Sequence, residues 1–506
     1  MDIPLWLRKR GPSLTSDLIS AMVEGGVSAV AARQRVNRAP GEVKRLAGLR
    51  FAKNARFIYL DEQYATDEFW RALERAFQTH GLAYWTALTN LKARGGLCPT
   101  KMFERVASAP LNRRGQLSPE RIYDRLHAVR LLHRVRTEER QSFVEFWPDF
   151  YHKASLAHVR ATLLAEQIVL LGVRDWARKL GLGSHNAFKL RGANPQVSSL
   201  VWDLSAPSYA RPLAQRSDGS IKPGFVVCDV NFTGIINEDE ISAFIRKHDL
   251  AAAPTRVAPI LPMFVGEIFS EAAFARARAA GITAVTVGDL LGKDIAKGLR
   301  DLIDLLSDQG ATASANPDHL HHVMEQLTAI EGASHNVRAA LFELVIGALI
   351  KDVEGGYLQT GVSQKRGRDR PALELDVLLT TDAPKPVYVI ECKAKLAGAQ
   401  VSLQDVERWY ENRVPTIAEF LGADRRFIGR KFRLELWTNG NFHPAAAEYL
   451  ARQQTEFGRY SVAWKEGTVL RAYARAAPTA TIRKTLNEHY FTHSLKPRAR
   501  NEKKAG

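Results

Sequence analysis

The 506-residue sequence predicts an α/β multidomain protein: a basic, helix-rich N-terminal region followed by two tandem α/β domains of one topology. Three observations carry that prediction. The length exceeds what a single hydrophobic core organises and suggests roughly three or four domains. Two stretches apolar nearly all round a helix, "HVRATLLAEQIVLLGVRDW" (158–176) and "VRAALFELVIGALI" (337–350), each hold one carboxylate in the middle, Glu166 and Glu343. The same order of elements then recurs. The strands "SLVWDLSAPSY" and "GFVVCDVNF" follow the first helix, and "ALELDVLLTT" and "VYVIECKAK" follow the second. Each pair leads into helix, strand, helix and short strand, which reads as a duplicated domain.

The N-terminal region, 1–62, has its own pattern. "SLTSDLISAMVEGG" is a helix with Thr15 or Ser16 as cap, ended by Gly25 and Gly26. "VSAVAARQRVNRA" is a second helix capped by Ser28, and "GLRFAKNARFIYL" alternates as a basic hairpin. Helix, glycine turn, arginine-bearing helix and basic hairpin is the order of a winged helix-turn-helix. The DNA-binding candidates are Arg33, Arg35 and Arg38 around the second helix, and Lys44, Arg45, Arg50, Lys53 and Arg56 in the wing. The plainer alternative is a small helical domain with a solvated basic face. Residues 63–150 read as a second winged-helix-like domain, with Ser118 and Pro119 opening its third helix. The first α/β domain is expected over 151–306, a linker and helix over 307–330, the second α/β domain over 331–480 and a basic tail over 481–506.

Composition narrows the partners. Lysine and arginine number 71 against 54 acidic residues, a formal charge of +17. That excess favours a polyanion, above all nucleic acid. No apolar run reaches the ~20 residues of a spanning helix, so no membrane partner is expected. The start, "MDIPLWLRKRGPS", lacks a signal peptide's apolar stretch. Cys98, Cys228 and Cys392 are too scattered for a metal pair or a disulfide framework, and a cytoplasmic location is expected.

The chemistry concentrates in the second α/β domain. In "VYVIECKAK" one strand face carries Val387, Val389, Glu391 and Lys393, and Cys392 points the other way as a small core residue. Alone, this is an ordinary strand ending in a surface ion pair. Asp376, in "ALELDVLL", lies on the preceding strand, and the connection holds the turn formers Asp382, Pro384 and Pro386. A hairpin brings Asp376 to Glu391 and Lys393, with Glu343 on the helix before them. A lone carboxylate in an apolar helix is costly unless it is neutral, paired or metal-bound.

Glu343, Asp376 and Glu391-Cys392-Lys393 resemble the motif of the PD-(D/E)XK, restriction-endonuclease-like nuclease superfamily, over about residues 330–470. Leu375 stands where the motif has proline. The resemblance implies a restriction-endonuclease-like fold and Mg²⁺- or Mn²⁺-dependent hydrolysis of phosphodiesters in DNA. Asp376, Glu391 and the Cys392 carbonyl are hard oxygen donors suited to that ion. Glu343 could hold the same metal, a second one or a water. Lys393 could orient or deprotonate the attacking water or stabilise the phosphorane. Gln404, in the next helix, is a weaker candidate beside the plainer reading of a solvated face. The first copy places Glu166, Asp203, Asp229 and Asn231 at the matching positions, and asparagine supplies neither positive charge nor base, so this copy is expected to be degenerate and non-cleaving.

The expected function is a DNA endonuclease of restriction, antiphage defence, repair or mobile-element biology. The alternative is a DNA-binding or scaffold protein whose nuclease-like domain is inactive or partner-dependent. A double-strand cut would require two centres, hence a homodimer or a partner. His319, His321 and His322 in "HLHH" read as solvated histidines at a helix start. "GLGSHNAFKLRG" lacks the GK[ST] of a phosphate loop.

Overall fold

A computed structural model describes residues 2–137, 141–147, 153–217, 220–254, 257–307, 316–328, 330, 333–364, 373–395 and 399–491. The chain forms two compact units: Met1–Ser155 with Val173–Leu290, and Leu156–Gly172 with Leu291–Gly506.

The first unit opens with α1 (Ile3–Arg10), β1 (Ser13–Leu14), α2 (Thr15–Glu24), α3 (Ala29–Asn37), β2 (Val43–Arg45) and β3 (Phe57–Leu60). The strands pair in the order β1-β3-β2. Leu7, Leu18, Met22, Ala32, Val36 and Ile58 make the core beneath the helices. Ser28 caps α3 as its position predicts, accepting from Ala31 N. Neither Thr15 nor Ser16 caps α2: Leu14 holds the cap position, and Thr15 Oγ1 instead accepts from Arg56 N at 3.0 Å, tying the helix start to β3. The hairpin predicted over 48–60 is displaced, because β2 lies earlier and much of 46–56 is a loop.

After α4 (Asp67–His80) the order repeats with α5 (Leu82–Ala93), β4 (Leu97–Pro99), α6 (Phe103–Val106), α7 (Pro119–Ala128), β5 (Leu132–Arg136) and β6 (Ser142–Phe146), whose sheet order is β4-β6-β5. Ser118 caps α7, with Pro119 in its first turn. Two small sheets thus share one connectivity: first strand, third, second.

The long helix α8 (Leu156–Lys179) is divided between the units, and Glu166 lies on the part that belongs to the second. By length and composition α8 could cross a membrane, which corrects the expectation that no segment qualifies; 61% of its most apolar window is buried inside the fold. The first α/β domain continues with β7 (Lys189–Leu190), β8 (Leu204–Ser208), β9 (Gly224–Ile236), α9 (Glu238–Ala252), β10 (Ile260–Phe269), α10 (Glu271–Ala279) and β11 (Thr283–Thr286). The sheet order is β7-β8-β9-β10-β11, antiparallel up to β9 and parallel beyond it.

The second unit adds α11 (Lys293–Ser307), α12 (Pro317–Thr328), α13 (Ser334–Glu354), β12 (Tyr357–Gln364), β13 (Leu373–Thr380) and β14 (Val387–Lys393). Then come α14 (Leu403–Glu407), a π-helical turn (Arg408–Arg413), α15 (Val414–Ala423), β15 (Phe432–Thr438), α16 (Pro444–Ala451), β16 (Glu456–Phe457) and β17 (Tyr460–Lys465). The sheet order is β12-β13-β14-β15-β17-β16, again antiparallel to β14 and parallel from β14 to β17. Val387, Val389, Leu434, Leu436 and Val462 face Val406, Trp409, Ile417 and Leu421, so one sheet face is sealed by α14, the π turn and α15. α17 (Gly467–Ala474), α18 (Ala480–Leu486) and a π-helical turn (Asn487–Phe491) close the described chain. The basic tail predicted from 481 therefore starts as helix, because Ile482, Leu486 and Tyr490 are apolar enough to be buried. Residues 492–506, and 308–315 of the predicted linker, lie outside the described residues.

Candidate active site

The two α/β domains share one local feature. On β13 and β14 the last laddered pair is Val377 with Ile390. One residue further out, Asp376 Oδ2 accepts the N–H of Cys392 at 2.7 Å. In the first domain Leu204 pairs with Cys228, and Asp203 Oδ2 accepts the N–H of Val230 at 2.9 Å. In each copy an aspartate side chain bonds the backbone between the two residues that the sequence singled out, Glu391 and Lys393 or Asp229 and Asn231.

In the second copy four predicted residues converge. Asp376 is half-buried, and its pKa lies well above the usual carboxylate value because of burial and repulsion from Glu343 and Glu391. Glu391 is 8% exposed. Burial would raise its pKa, but ion pairs with Lys393 (2.9 Å) and Arg413 (2.9 Å) hold it below normal. Burial opposes the charge on Lys393, yet Glu391 and Asp376 raise its pKa, so it stays an ammonium. Cys392 is buried and its thiol is driven well above normal by burial and by Asp376, so it is inert as a nucleophile. Its N–H faces Asp376, and in an extended strand its carbonyl points to the same side. Gln404 is exposed. Its neighbour Asp405 is the residue of that helix near the strand's lysines, 3.6 Å from Lys395.

Three carboxylates with a backbone carbonyl form an oxygen-rich set that fits Mg²⁺ or Mn²⁺. Asp376 stands close to the like-charged Glu343 and Glu391, and crowded negative charge of this kind is what a bound dication relieves. Arg413 was not foreseen. It reaches Glu391 from the π-helical turn and donates to Glu374 O at 2.6 Å. Its sequence neighbourhood, "ERWYENR", does not reveal that the helix changes pitch there.

The first copy has the same frame with different counter-charges. Asp203 Oδ1 is paired with Arg191 and Arg105, each at 2.8 Å, and these guanidinium groups overcome its burial and hold its carboxyl below the usual range. Asp229 is paired with Lys247, which is 0% exposed and also lies over the Trp202 ring. Arg94 donates to Val230 O at 3.0 Å, the counterpart of the Cys392 carbonyl. Asn231, in the lysine's place, donates to Glu240 at the start of α9. A cavity of about 30 Å³ remains beside Arg105, Asp229 and Asn231. That is room for about one water. Asp203, Asp229 and the Val230 carbonyl are each engaged by a cationic side chain of the same unit.

Of the DNA-binding candidates, Arg33, Arg35, Arg38, Arg50, Lys53 and Arg56 are exposed. Arg45 caps α3 by donating to the carbonyls of Val36 and Asn37, and Lys44 pairs with Asp61 at 3.4 Å.

No protein-family model and no curated protein matches the chain. Solved structures similar to it are restriction endonucleases. MspJI in complex with a 27-mer oligonucleotide is 16% identical over 43% of this chain and 49% of its own, with a TM-score of 0.17. The DNA modification-dependent enzyme AspBHI is 12% identical over 63% and 71%, with a TM-score of 0.17. FokI bound to DNA is 11% identical over 55% and 60%, with a TM-score of 0.16. The chain thus spans about half the length of the first of these. All three TM-scores are low, so the functional reading stands on the residues themselves.

The charge pattern yields two predictions. The folded pKa of Asp376 exceeds the ~3.9 of an unfolded aspartate, so stability falls as pH rises through the window between them. In chelator at neutral pH, Asp376→Asn therefore unfolds at a higher temperature than wild type, by about 1 kcal/mol in stability, and Mg²⁺ raises the wild-type midpoint but not the variant's. A variant less stable than wild type in chelator would refute the crowding argument. In the first copy, Lys247→Met strands a buried Asp229 and costs about 3–5 kcal/mol, whereas Lys247→Met with Asp229→Asn recovers much of that loss in thermal denaturation. Additive losses would mean that the two side chains do not act as a pair.

Proposed function

We propose that the protein is a metal-dependent DNA endonuclease of the PD-(D/E)XK kind whose second α/β domain cleaves and whose first does not. The observation that carries this reading is the convergence of Glu343, Asp376, Glu391 and Lys393 around a strand end, beside a backbone carbonyl. Asp376, Glu391 and the Cys392 carbonyl would hold Mg²⁺ or Mn²⁺, with Glu343 beside them. The ion supplies a more acidic water and charge stabilisation at the phosphate. The protein's own residues do the rest. Asp376, pinned by the Cys392 amide, fixes where the donors point. Lys393, kept cationic by Glu391 and Asp376, can donate to a phosphate oxygen or hold the attacking water. Cys392 fills the core behind the site.

DNA would be gripped by the N-terminal region. The order helix, strand, helix, helix, strand, strand with the third strand in the middle occurs twice, which supports the winged-helix reading for both segments. α3 exposes Val30, Arg33, Gln34 and Asn37 on one face, with Arg35 and Arg38 beside it. An arginine-bearing face of that kind suits a groove lined by phosphates.

One observation favours a second reading, a nuclease-like domain that waits for a partner or substrate. Both Glu391 carboxylate oxygens are in ion pairs, one with Lys393 and one with Arg413. Using Glu391 as a metal ligand requires one of these to yield.

The test is cleavage of supercoiled and linear DNA, with RNA as comparison, in Mg²⁺, Mn²⁺ and chelator. Metal-dependent cleavage that falls about a thousandfold or more in Lys393→Ala is the expected result. DNA binding with no cleavage under any of these conditions would overturn the endonuclease in favour of the second reading. Replacing Arg33, Arg35 and Arg38 together by alanine should weaken binding to all sequences and reduce the slope of log K against log salt by about 2–3. An unchanged slope would place the DNA elsewhere.

A further inference from the structure

His321 breaks the expectation of a solvated histidine run: it is 7% exposed, on the inner side of α12, while His322 is exposed. Its surroundings fix its tautomer. Thr485 donates its hydroxyl proton to Thr481 O at 2.8 Å. The same Thr485 oxygen lies 3.2 Å from His321 Nδ1, so in the neutral ring Nδ1 is the protonated donor and Nε2 carries the lone pair. Nε2 is buried and makes no hydrogen bond. It lies 3.5 Å from a carboxylate oxygen of Glu325 and 3.8 Å from one of Glu488. A second buried imidazole, His489, stands beside it with ring centroids 5.4 Å apart. One donor atom each from His321, Glu488 and His489 lie within 4.8 Å of one another.

The buried Nε2 lone pair faces the part-exposed carboxylates of Glu325 and Glu488, an arrangement that a cation between them stabilises. We propose that His321, His489 and Glu488, with Glu325 as fourth ligand, bind one zinc-class divalent ion. Two imidazoles and two carboxylates are the donor set of a borderline ion that prefers four ligands at ~2.0–2.2 Å, so the side chains close in slightly around it. Thr485 supplies the outer hydrogen bond that such a histidine ligand requires. The hard-oxygen set at Asp376 suits a different ion, so the two centres select by chemistry.

The site is structural. Its ligands come from α12, before the second α/β domain, and from the π-helical turn after it. That turn is tied to the domain in two further places. Tyr490 Oη donates to Arg338 O at 2.9 Å, and Asn439 Nδ2 donates to Tyr490 O at 3.3 Å. Asn439 also bonds the backbone N–H and carbonyl of Lys395, two residues past Lys393. An ion held here clasps the two ends of the domain together.

The test uses the full chain, stripped with chelator and titrated with Zn²⁺ alone against a chromophoric competitor, with Co²⁺ as a spectroscopic substitute. One equivalent should bind with an apparent Kd of about 1 μM or tighter, give a tetrahedral Co²⁺ spectrum and raise the melting temperature. Glu488→Gln, an exposed change that leaves the fold intact, should weaken binding about tenfold or more, and His321→Gln should abolish it. Asp376→Asn should bind Zn²⁺ at this site unchanged, so the outcome does not depend on the nuclease reading. No binding below about 100 μM, or one equivalent bound equally well by His321→Gln and Glu488→Gln, would overturn the proposal. So would a melting temperature that Zn²⁺ leaves unchanged.

Discussion

The second α/β domain depends on one hydrogen bond made where a ladder stops. Beyond the pair Val377 and Ile390, Asp376 takes over from the backbone and receives the Cys392 amide through its carboxylate. A side chain doing a backbone's work satisfies a buried N–H and also fixes a carboxylate at the sheet's edge. Glu391 and Lys393, the residues either side of that amide, then share the strand face set by the period of two. Most of the candidate site's geometry is inherited from this bond. The sheet core of Val387, Val389, Leu434 and Leu436 supplies the rigidity that holds it.

The first copy keeps the bond and changes what surrounds it. Asp203 receives the Val230 amide as Asp376 receives that of Cys392. There the anionic frame is neutralised by Arg105, Arg191, Lys247 and Arg94. In the second copy Asp376 remains crowded by Glu343 and Glu391. The difference lies at the aspartate: two guanidinium groups pair with Asp203, whereas Lys393 and Arg413 pair with Glu391 and leave Asp376 facing carboxylates. Side-chain cations held in place by packing are local in concentration and compete strongly with a dissolved ion. One fold thereby supports a polar core in one domain and a candidate reaction centre in the other.

The sequence made much of this legible. Strand alternation and two lone carboxylates in apolar helices were enough to align the copies, because periodicity and burial are local properties. Glu343, Asp376, Glu391 and Lys393 were recognisable because their chemistry conflicts with their surroundings. What stayed hidden came from outside each motif. Arg413 depends on a π-helical turn, and Arg94 and Arg105 lie about a hundred residues before the carboxylate frame that they neutralise. Glu166 matches Glu343 by pattern, yet it belongs to the second unit while Asp203 and Asp229 belong to the first. The buried state of His321 was hidden as well. "HLHH" reads as polar until the C-terminal turn covers it, and no local pattern announces a partner some 160 residues away.

The cation-filled centre of the first copy also bears on modularity. Arg94 and Arg105 belong to the helical segment upstream of the sheet whose carboxylates they neutralise. Arg113, from the same segment, donates to Leu250 O and Ser198 O. The segment and the sheet are thus one electrostatic object drawn from two stretches of chain. A cut between them would uncover a negative pocket on one side and orphaned guanidinium groups on the other. The two stretches cannot be exchanged independently with pieces of other proteins, and substitutions on either side are constrained to change together.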